Sequence, residues 1–449
     1  MKPLVIIHGW SDESKSFARL GQRIATDLGV TPTEIRLGDW ISMNDEVTLP
    51  DVAAALGMAW SHHGLPTAPR SVDLVVHSTG ALVVREWMTR YHTPQSVPIH
   101  RLLMLAPANF GSPLAHKGRS FIGRAIKGWG EPRFQTGKKI LKALELGSPY
   151  TYELAHRDLF GIKKPWYGAG RILCTVLVGD AGYKGIASIA NEDGSDGTVR
   201  ISTANLNGAK ITLQLDEKNE AVRFDLQAPL GEIAFGIVAG ENHSTIALKD
   251  TGPINPLSPE LIMRALTVED EGWSEWIASL AKQTRGGGED TRFQNTVIRL
   301  HDQLGHKVPD YFVELYRTEK SDDRFEQRLY QKFIDSVHPY EDDQSYRALY
   351  LDIGILDKLR PEIEEKGLLY FSFLASPVYA SGSRNGKKSG LPPVGYLPVP
   401  EHRTGGVKVQ PSQLDEVFAA HRTVLIDAQI HRFVDPSVFQ MRPLKPATP

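Results

Sequence analysis

"VDLVVHSTGALVVREW", residues 72–87, decides how the chain is read. Val72–Val76 is a short, apolar, β-branched run of the kind that forms a strand buried on both faces. From Ala81 the apolar residues Leu82, Val83, Val84 and Trp87 change to the spacing of a helix. Between them stands His77-Ser78-Thr79-Gly80, so strand passes into helix with almost no loop. Ser78 then has two readings: a helix-capping serine, or a nucleophile lifted above the sheet by a sharp turn.

On either side the pattern repeats. Candidate strands fall at Leu4–Ile7, Glu34–Leu37, Arg101–Leu105, Ile172–Val178 and Ile233–Val238, and candidate helices at Ser16–Leu28, Asp51–His62 and Ala81–Tyr91. Alternating strands and helices predict an α/β domain with a mostly parallel sheet and helices on both faces. The strands at 101–105 and 172–178 are much farther apart than the roughly dozen residues a crossover needs, so an insertion is expected at about 109–170. Residues 209–227 alternate apolar and polar on both sides of Asp216–Asn219, predicting a hairpin before the last strand.

A helix from about Pro259 to Lys282 closes this domain, and "TRGGGEDT" at 284–291 reads as a Gly-rich linker. Beyond it, runs such as "YRALYLDIG" and "TVLIDAQIHRF" keep a period of two with no long helix between them, predicting an all-β, sandwich-like accessory domain over 292–449. A loop at 381–393 and a frayed tail from Pro443 are expected. With 449 residues, two domains of 1–283 and 292–449 each have enough chain for a core.

Composition narrows the function. The formal net charge of −2 gives no global pull toward nucleic acid, and none is expected as a partner. One cysteine, Cys174 in "RILCTVLVGD", reads as a core thiol in a strand. No stretch supplies about 20 uncharged apolar residues, so no membrane span is expected. The start "MKPLVIIHGW" is too short for a signal-peptide core and lacks a small-residue cleavage site. The expected location is cytoplasmic, or outside the cell by an export route that cleaves no signal. His62-His63 and Glu341-Asp342-Asp343 lack metal-ligand spacing, and no phosphate-cradling glycine motif follows a strand. No metal or cofactor is implied.

The turn at Ser78 resembles the nucleophile elbow of the α/β-hydrolase family, and the resemblance extends over residues 3–281. In the family pattern G-x-S-x-G, Gly80 matches and Val76 stands where the first glycine would be. The resemblance implies partners for Ser78 in the order Ser, Asp, His. "SDGTVRISTA" looks like the D-G-T-V segment that bears the acid in many lipases, which points to Asp196, with Asp180 at the strand end as runner-up and Asp193 as a loop carboxylate. "FGIVAGENHSTIAL" offers His243 as the base. The loop after the first strand, "VIIHGWSD", implies Trp10 as one backbone donor of an oxyanion hole and Thr79 as the other. His62, His63, His77 and His116 have weaker claims.

Lipases similar to this one carry lid helices where the insertion falls. Phe121, Ile122, Ile126 and Trp129 share one helical face, while Arg119, Arg124, Lys127, Lys138, Lys139 and Lys142 make the segment basic. Such a cap suits an anionic membrane surface, and equally a cap packed on its own domain. The resemblance implies a serine carboxylester hydrolase of lipase or phospholipase type, acting on a lipid or small ester. A soluble small-ester esterase or acyltransferase is the alternative; a catalytically silent binding scaffold is the other, suggested only by Val76.

Overall fold

The computed structural model describes residues 2–7, 17–42, 44–115, 137–218, 220–249, 252–288, 291–316, 329–366, 369–375, 394–396 and 407–434. The first sheet is built from β1 (Leu4–Ile7), β2 (Thr33–Ile35), β3 (Val72–His77), β4 (Ile99–Leu105), β5 (Leu173–Gly179) and β8 (Ala234–Val238). Its order is β2-β1-β3-β4-β5-β8, and every neighbouring pair is parallel. β1, β3, β4 and β5 are buried at every position, which is why their sequences are apolar runs rather than alternating ones.

Helices α1 (Ala18–Leu28), α2 (Leu49–His62) and α3 (Gly80–Tyr91) follow β1, β2 and β3. Because β1 lies between β2 and β3, the first two crossovers run in opposite directions, and right-handed connections place α1 on one face and α2 and α3 on the other. α2 starts where Thr48 and Asp51 form a reciprocal capping box, the Thr48 amide donating to Asp51 Oδ2 at 2.9 Å, which satisfies amides that a helix start leaves open. This is an α/β-hydrolase core.

The insertion is described at 109–115 and from 137 onward. There α4 (Lys138–Leu144), α5 (Pro149–Ala155) and a π turn at His156–Phe160 lie over the core. The amphipathic face of Phe121, Ile122, Ile126 and Trp129, its basic neighbours Arg119, Arg124 and Lys127, and His116 lie outside the described residues. Among the described residues no helix is long and apolar enough to cross a membrane.

The second sheet is mixed. It is ordered β11-β12-β9-β16-β6-β7 from β6 (Ala209–Leu215), β7 (Ala221–Gln227), β9 (Phe293–Asp302), β11 (Ile334–Pro339), β12 (Tyr346–Asp352) and β16 (Thr423–Ile430). β16 pairs parallel with both β9 and β6, and the remaining pairs are antiparallel. The expected hairpin at 209–227 therefore exists, but its strands complete a sheet whose other members lie beyond residue 292. One face of that sheet, with Ile211, Leu213, Ile298, Leu349 and Ile426, packs under a three-stranded sheet of β10 (Tyr311–Tyr316), β13 (Leu369–Ala375) and β15 (Val407–Val409). The other face adds Val297, Tyr346, Ala348 and Leu425 to the hydrolase core. A short pair, β14 (Val394–Tyr396) with β17 (Arg432–Val434), completes the strands described.

Three local features differ from the sequence reading. The helix expected at 259–282 is two, α7 (Ser258–Ala265) and α8 (Trp273–Gln283), after the short α6 (Ile201–Ala204). A long helix, α9 (Ile353–Lys366), follows β12 without a loop and buries Leu356, Leu359 and Ile363. Gly354 and Pro361, both unfavourable inside a helix, hid its periodicity. Two of the three glycines after Thr284 are packed rather than slack: a Cβ at Gly287 would overlap the Ile237 carbonyl oxygen, and the Gly288 amide donates to Asp180 Oδ2 at 3.0 Å. A short α10 (Leu414–Val417) precedes β16.

Candidate active site

β3 ends at His77 and α3 begins at Gly80, leaving Ser78 in the turn with φ of 53°. A non-glycine residue held there costs about 1–3 kcal/mol, which the surrounding structure must impose. The Ser78 amide donates to the Leu105 carbonyl of β4 at 3.1 Å, and the Ser78 carbonyl accepts from Ala81 and Ala108. Val76 is fully buried, in register with Ile7 and Met104, so the missing glycine leaves a sharp elbow in place.

His243 lies on the loop after β8. Asn242 shapes that loop by accepting the Ser244 and Thr245 amides on its side chain, and Glu241 anchors it to the start of α7 by accepting from Ile254, Asn255 and Ser258. His243 Nε2 is 3.1 Å from Ser78 Oγ, and His243 Nδ1 is 2.9 Å from Asp196 Oδ2. The other oxygen of Asp196 accepts the Thr198 and Val199 amides at 2.9 and 2.8 Å. The ionised carboxylate only accepts, so Nδ1 carries the ring proton and Nε2 is left to accept from the serine hydroxyl. All three side chains are shielded, with Ser78 6%, His243 2% and Asp196 0% exposed. In low-dielectric surroundings these hydrogen bonds are stronger than they would be in water.

The other carboxylates have different work. Asp180 accepts the Gly240 and Gly288 amides and does not meet His243. Asp193 contributes its carbonyl oxygen to the hydroxyl of Tyr350. Thr79 directly follows Ser78 and is 7% exposed. Trp10, with His8 and Gly9, lies outside the described residues. His62 and His63 sit at the end of α2 beside Trp40. Among the described residues no group of three or more His, Cys, Asp or Glu is placed to hold a metal ion.

Two side chains support the site, and only the second, Arg85, was not read from the sequence. His77 Nε2 lies 2.9 Å from the His243 carbonyl oxygen, which links the residue before the serine to the loop of the histidine. Arg85 on α3 is fully buried and grips Asp158 through two hydrogen bonds of 2.7 and 2.9 Å. It also donates to the Asn109 carbonyl at 3.0 Å, where the insertion begins. Burial alone would lower the affinity of this guanidinium for its proton, but the Asp158 charge outweighs burial and raises it. The signal was present in "GALVVREW", where an arginine interrupts an otherwise apolar helix face.

Two lysines of the insertion meet acids. Lys139 pairs with Glu46 at 2.6 Å, and Lys142 pairs with Glu341, with Asp342 at 3.2 Å and with Glu145 at 3.6 Å. The basic segment and the acidic run at 341–343, read separately in the sequence, are two halves of one junction.

No family model matches the sequence, and no curated protein matches it significantly. The structure is similar to that of phospholipase PlaB from Legionella pneumophila, with a TM-score of 0.78 and 23% identity over 100% of this chain and 98% of that one. The same phospholipase in complex with thio-NAD matches with a TM-score of 0.76 at 23% identity and the same coverage. Identity this low establishes a shared fold, and the shared fold runs the full length of the chain, second sheet included.

Proposed function

We propose that the chain is a serine carboxylester hydrolase of lipase or phospholipase type, with Ser78 as nucleophile, His243 as general base and Asp196 as the residue that orients the base. The observation that carries this reading is the continuous hydrogen-bonded line from Asp196 Oδ2 through His243 to Ser78 Oγ, ending at a serine in a left-handed turn. A serine that merely caps a helix has no need of a buried histidine and carboxylate. The full-length likeness to a phospholipase supports a phospholipid ester as substrate over a small soluble one.

In this reaction His243 Nε2 takes the Ser78 proton as the oxygen attacks the ester carbonyl carbon. Asp196 holds the ring in its Nδ1–H form and stabilises the imidazolium that results. The Thr79 amide is one donor to the developing oxyanion, and the family resemblance assigns the second to Trp10. The imidazolium then protonates the departing alcohol, leaving an acyl-enzyme on Ser78. A water deprotonated by His243 attacks that ester, and the serine recovers its proton as the fatty acid leaves. Of Lys138, Lys139 and Lys142, the last two are matched by carboxylates, which favours a cap packed on its own protein over a basic membrane-facing patch at 138–142.

The test compares hydrolysis of phospholipid vesicles and of a short-chain nitrophenyl ester by wild type and Ser78→Ala. The expected outcome is loss of activity on the order of 10⁶-fold in kcat, together with loss of fluorophosphonate labelling, in a variant that remains folded. Full activity in Ser78→Ala would sink the assignment. Turnover of the soluble ester alone would make the chain an esterase.

A further inference from the structure

The loop carrying Asp196 is gripped by the second sheet as well as by the hydrolase core. On the core side, Ser112 Oγ donates to the Thr198 carbonyl at 2.5 Å, Tyr183 OH lies 2.9 Å from Thr198 Oγ1, and the His243 amide donates to the Asp196 carbonyl at 3.0 Å. On the other side stands Tyr350 of β12. Its hydroxyl donates to the Asp193 carbonyl at 2.8 Å, three residues before the acid. Its ring stacks on Phe293 of β9 at 4.4 Å and 11°, and the Arg200 guanidinium lies 3.8 Å from its centroid. Arg200, four residues after the acid, also closes back on Glu192 at 2.9 Å. Both ends of the acid loop therefore converge on one side chain of the second sheet.

The fit is tight. Gly194 has φ of 69°, and a Cβ there would stand 2.6 Å from the Tyr350 hydroxyl and 2.9 Å from Phe293. Downstream, Thr423 Oγ1 of β16 donates to the Ser202 carbonyl and Asn205 Nδ2 donates to the His421 carbonyl, both at 2.8 Å. Burial pushes the Tyr350 hydroxyl well above its ordinary pKa, so it stays a proton donor throughout the range in which an ester hydrolase works.

We propose that Tyr350 is a positioning residue for Asp196: the second sheet sets the register of the acid loop, and through it the orientation of His243, so the site is complete only with both regions in place. This rests on the reading of Ser78, His243 and Asp196 as a triad. Tyr350 touches no reacting atom and acts through the loop backbone.

Tyr350→Phe keeps the ring, the stack on Phe293 and the Arg200 contact, and removes only the hydroxyl. Losing one buried hydrogen bond of this kind lowers kcat by about tenfold, with KM unchanged. In an Asp196→Asn background, followed by fluorophosphonate labelling rate, the same substitution costs nothing further. Thr423→Val, which cuts the tie at Ser202, shows a smaller effect of the same sign. An unchanged kcat in Tyr350→Phe, or an equal loss in both backgrounds, overturns the proposal by making Tyr350 inert or merely structural. Failure of the triad reading is seen separately, as labelling and activity that survive Ser78→Ala.

Discussion

Both large sheets have six strands, but they are assembled by opposite rules. The first takes β1 to β5 in near succession, parallel throughout, each joined to the next by a covering segment. The second joins β6 and β7, which fall between β5 and β8 of the first sheet, to strands that lie beyond residue 292, and β6 finds its partner in β16. The first can be built from the chain as it is read; the second exists only once the two halves meet. The candidate triad belongs to the first sheet, yet its acid lies on the stretch of chain that crosses to the second.

The severest way to break this contrast is to remove everything after Gly288. Ile211, Leu213 and Leu215 on β6 would lose their cover, at roughly 1.5–3 kcal/mol for each side chain. The total approaches the whole stability of a typical domain. The expected product is unfolded or aggregated and inactive, as judged by circular dichroism and ester hydrolysis. A soluble fragment with wild-type activity would make the second sheet an independent module.

Next in size is the comparison of Asp196→Asn with Asp180→Asn. The first should lower kcat on the order of 10⁴-fold, as expected when a triad acid is neutralised. The second loosens the join at Gly240 and Gly288 and should leave the rate within about tenfold. The reverse ranking, read in steady-state kinetics, would move the acid to Asp180.

Ion pairs sharpen the contrast in stability. Arg85–Asp158, inside the first region, is wholly buried, whereas Lys142–Glu341, at the junction, has a partner that is 76% exposed. Arg85→Met strands a buried carboxylate and should cost about 3–5 kcal/mol. Lys142→Met should cost about 1 kcal/mol or less. Chemical denaturation of both variants checks the ranking, and equal losses would mean that the junction is as rigid as the core.

The smallest effect is one of pH. Burial would raise the Glu145 carboxyl, but the His338 side chain, the Glu341 amide and Lys142 outweigh it and hold the group below the ordinary glutamate value. A depressed folded pKa gives stability that is fully present above the unfolded value of about 4.3, and that stability is lost as pH falls through the folded pKa. Wild type should therefore melt above Glu145→Gln at pH 6, and the gap should close in strong acid. A gap independent of pH would show that the charge of Glu145 does not matter at the junction.

Much of the site was legible because its parts are local. The elbow is a strand running into a helix within residues 72–87, and Ser78 is marked by that change of period. Asp196 and His243 stand in loops that follow β5 and β8, in the order the family resemblance implies. Tyr350 was not legible, since it sits in an ordinary alternating run and its role depends on which loop packs against it. Lys142 was read only as part of a basic segment for a related reason: its charge was visible, but its partners at Glu145, Glu341 and Asp342 were not.

The sequence alone thus determined the parallel sheet, the elbow and the chemical types available at the site, because short-range periodicity is dictated by which faces of a strand or helix must leave water. Only the tertiary structure decided that β6 and β7 join the second sheet, that Lys142 of the cap pairs with an acidic turn, and that Tyr350 closes on the acid loop. Closing a longer loop costs only slightly more entropy than closing a shorter one. Sequence distance therefore says little about such contacts, and the match of the surfaces left over by local folding selects them.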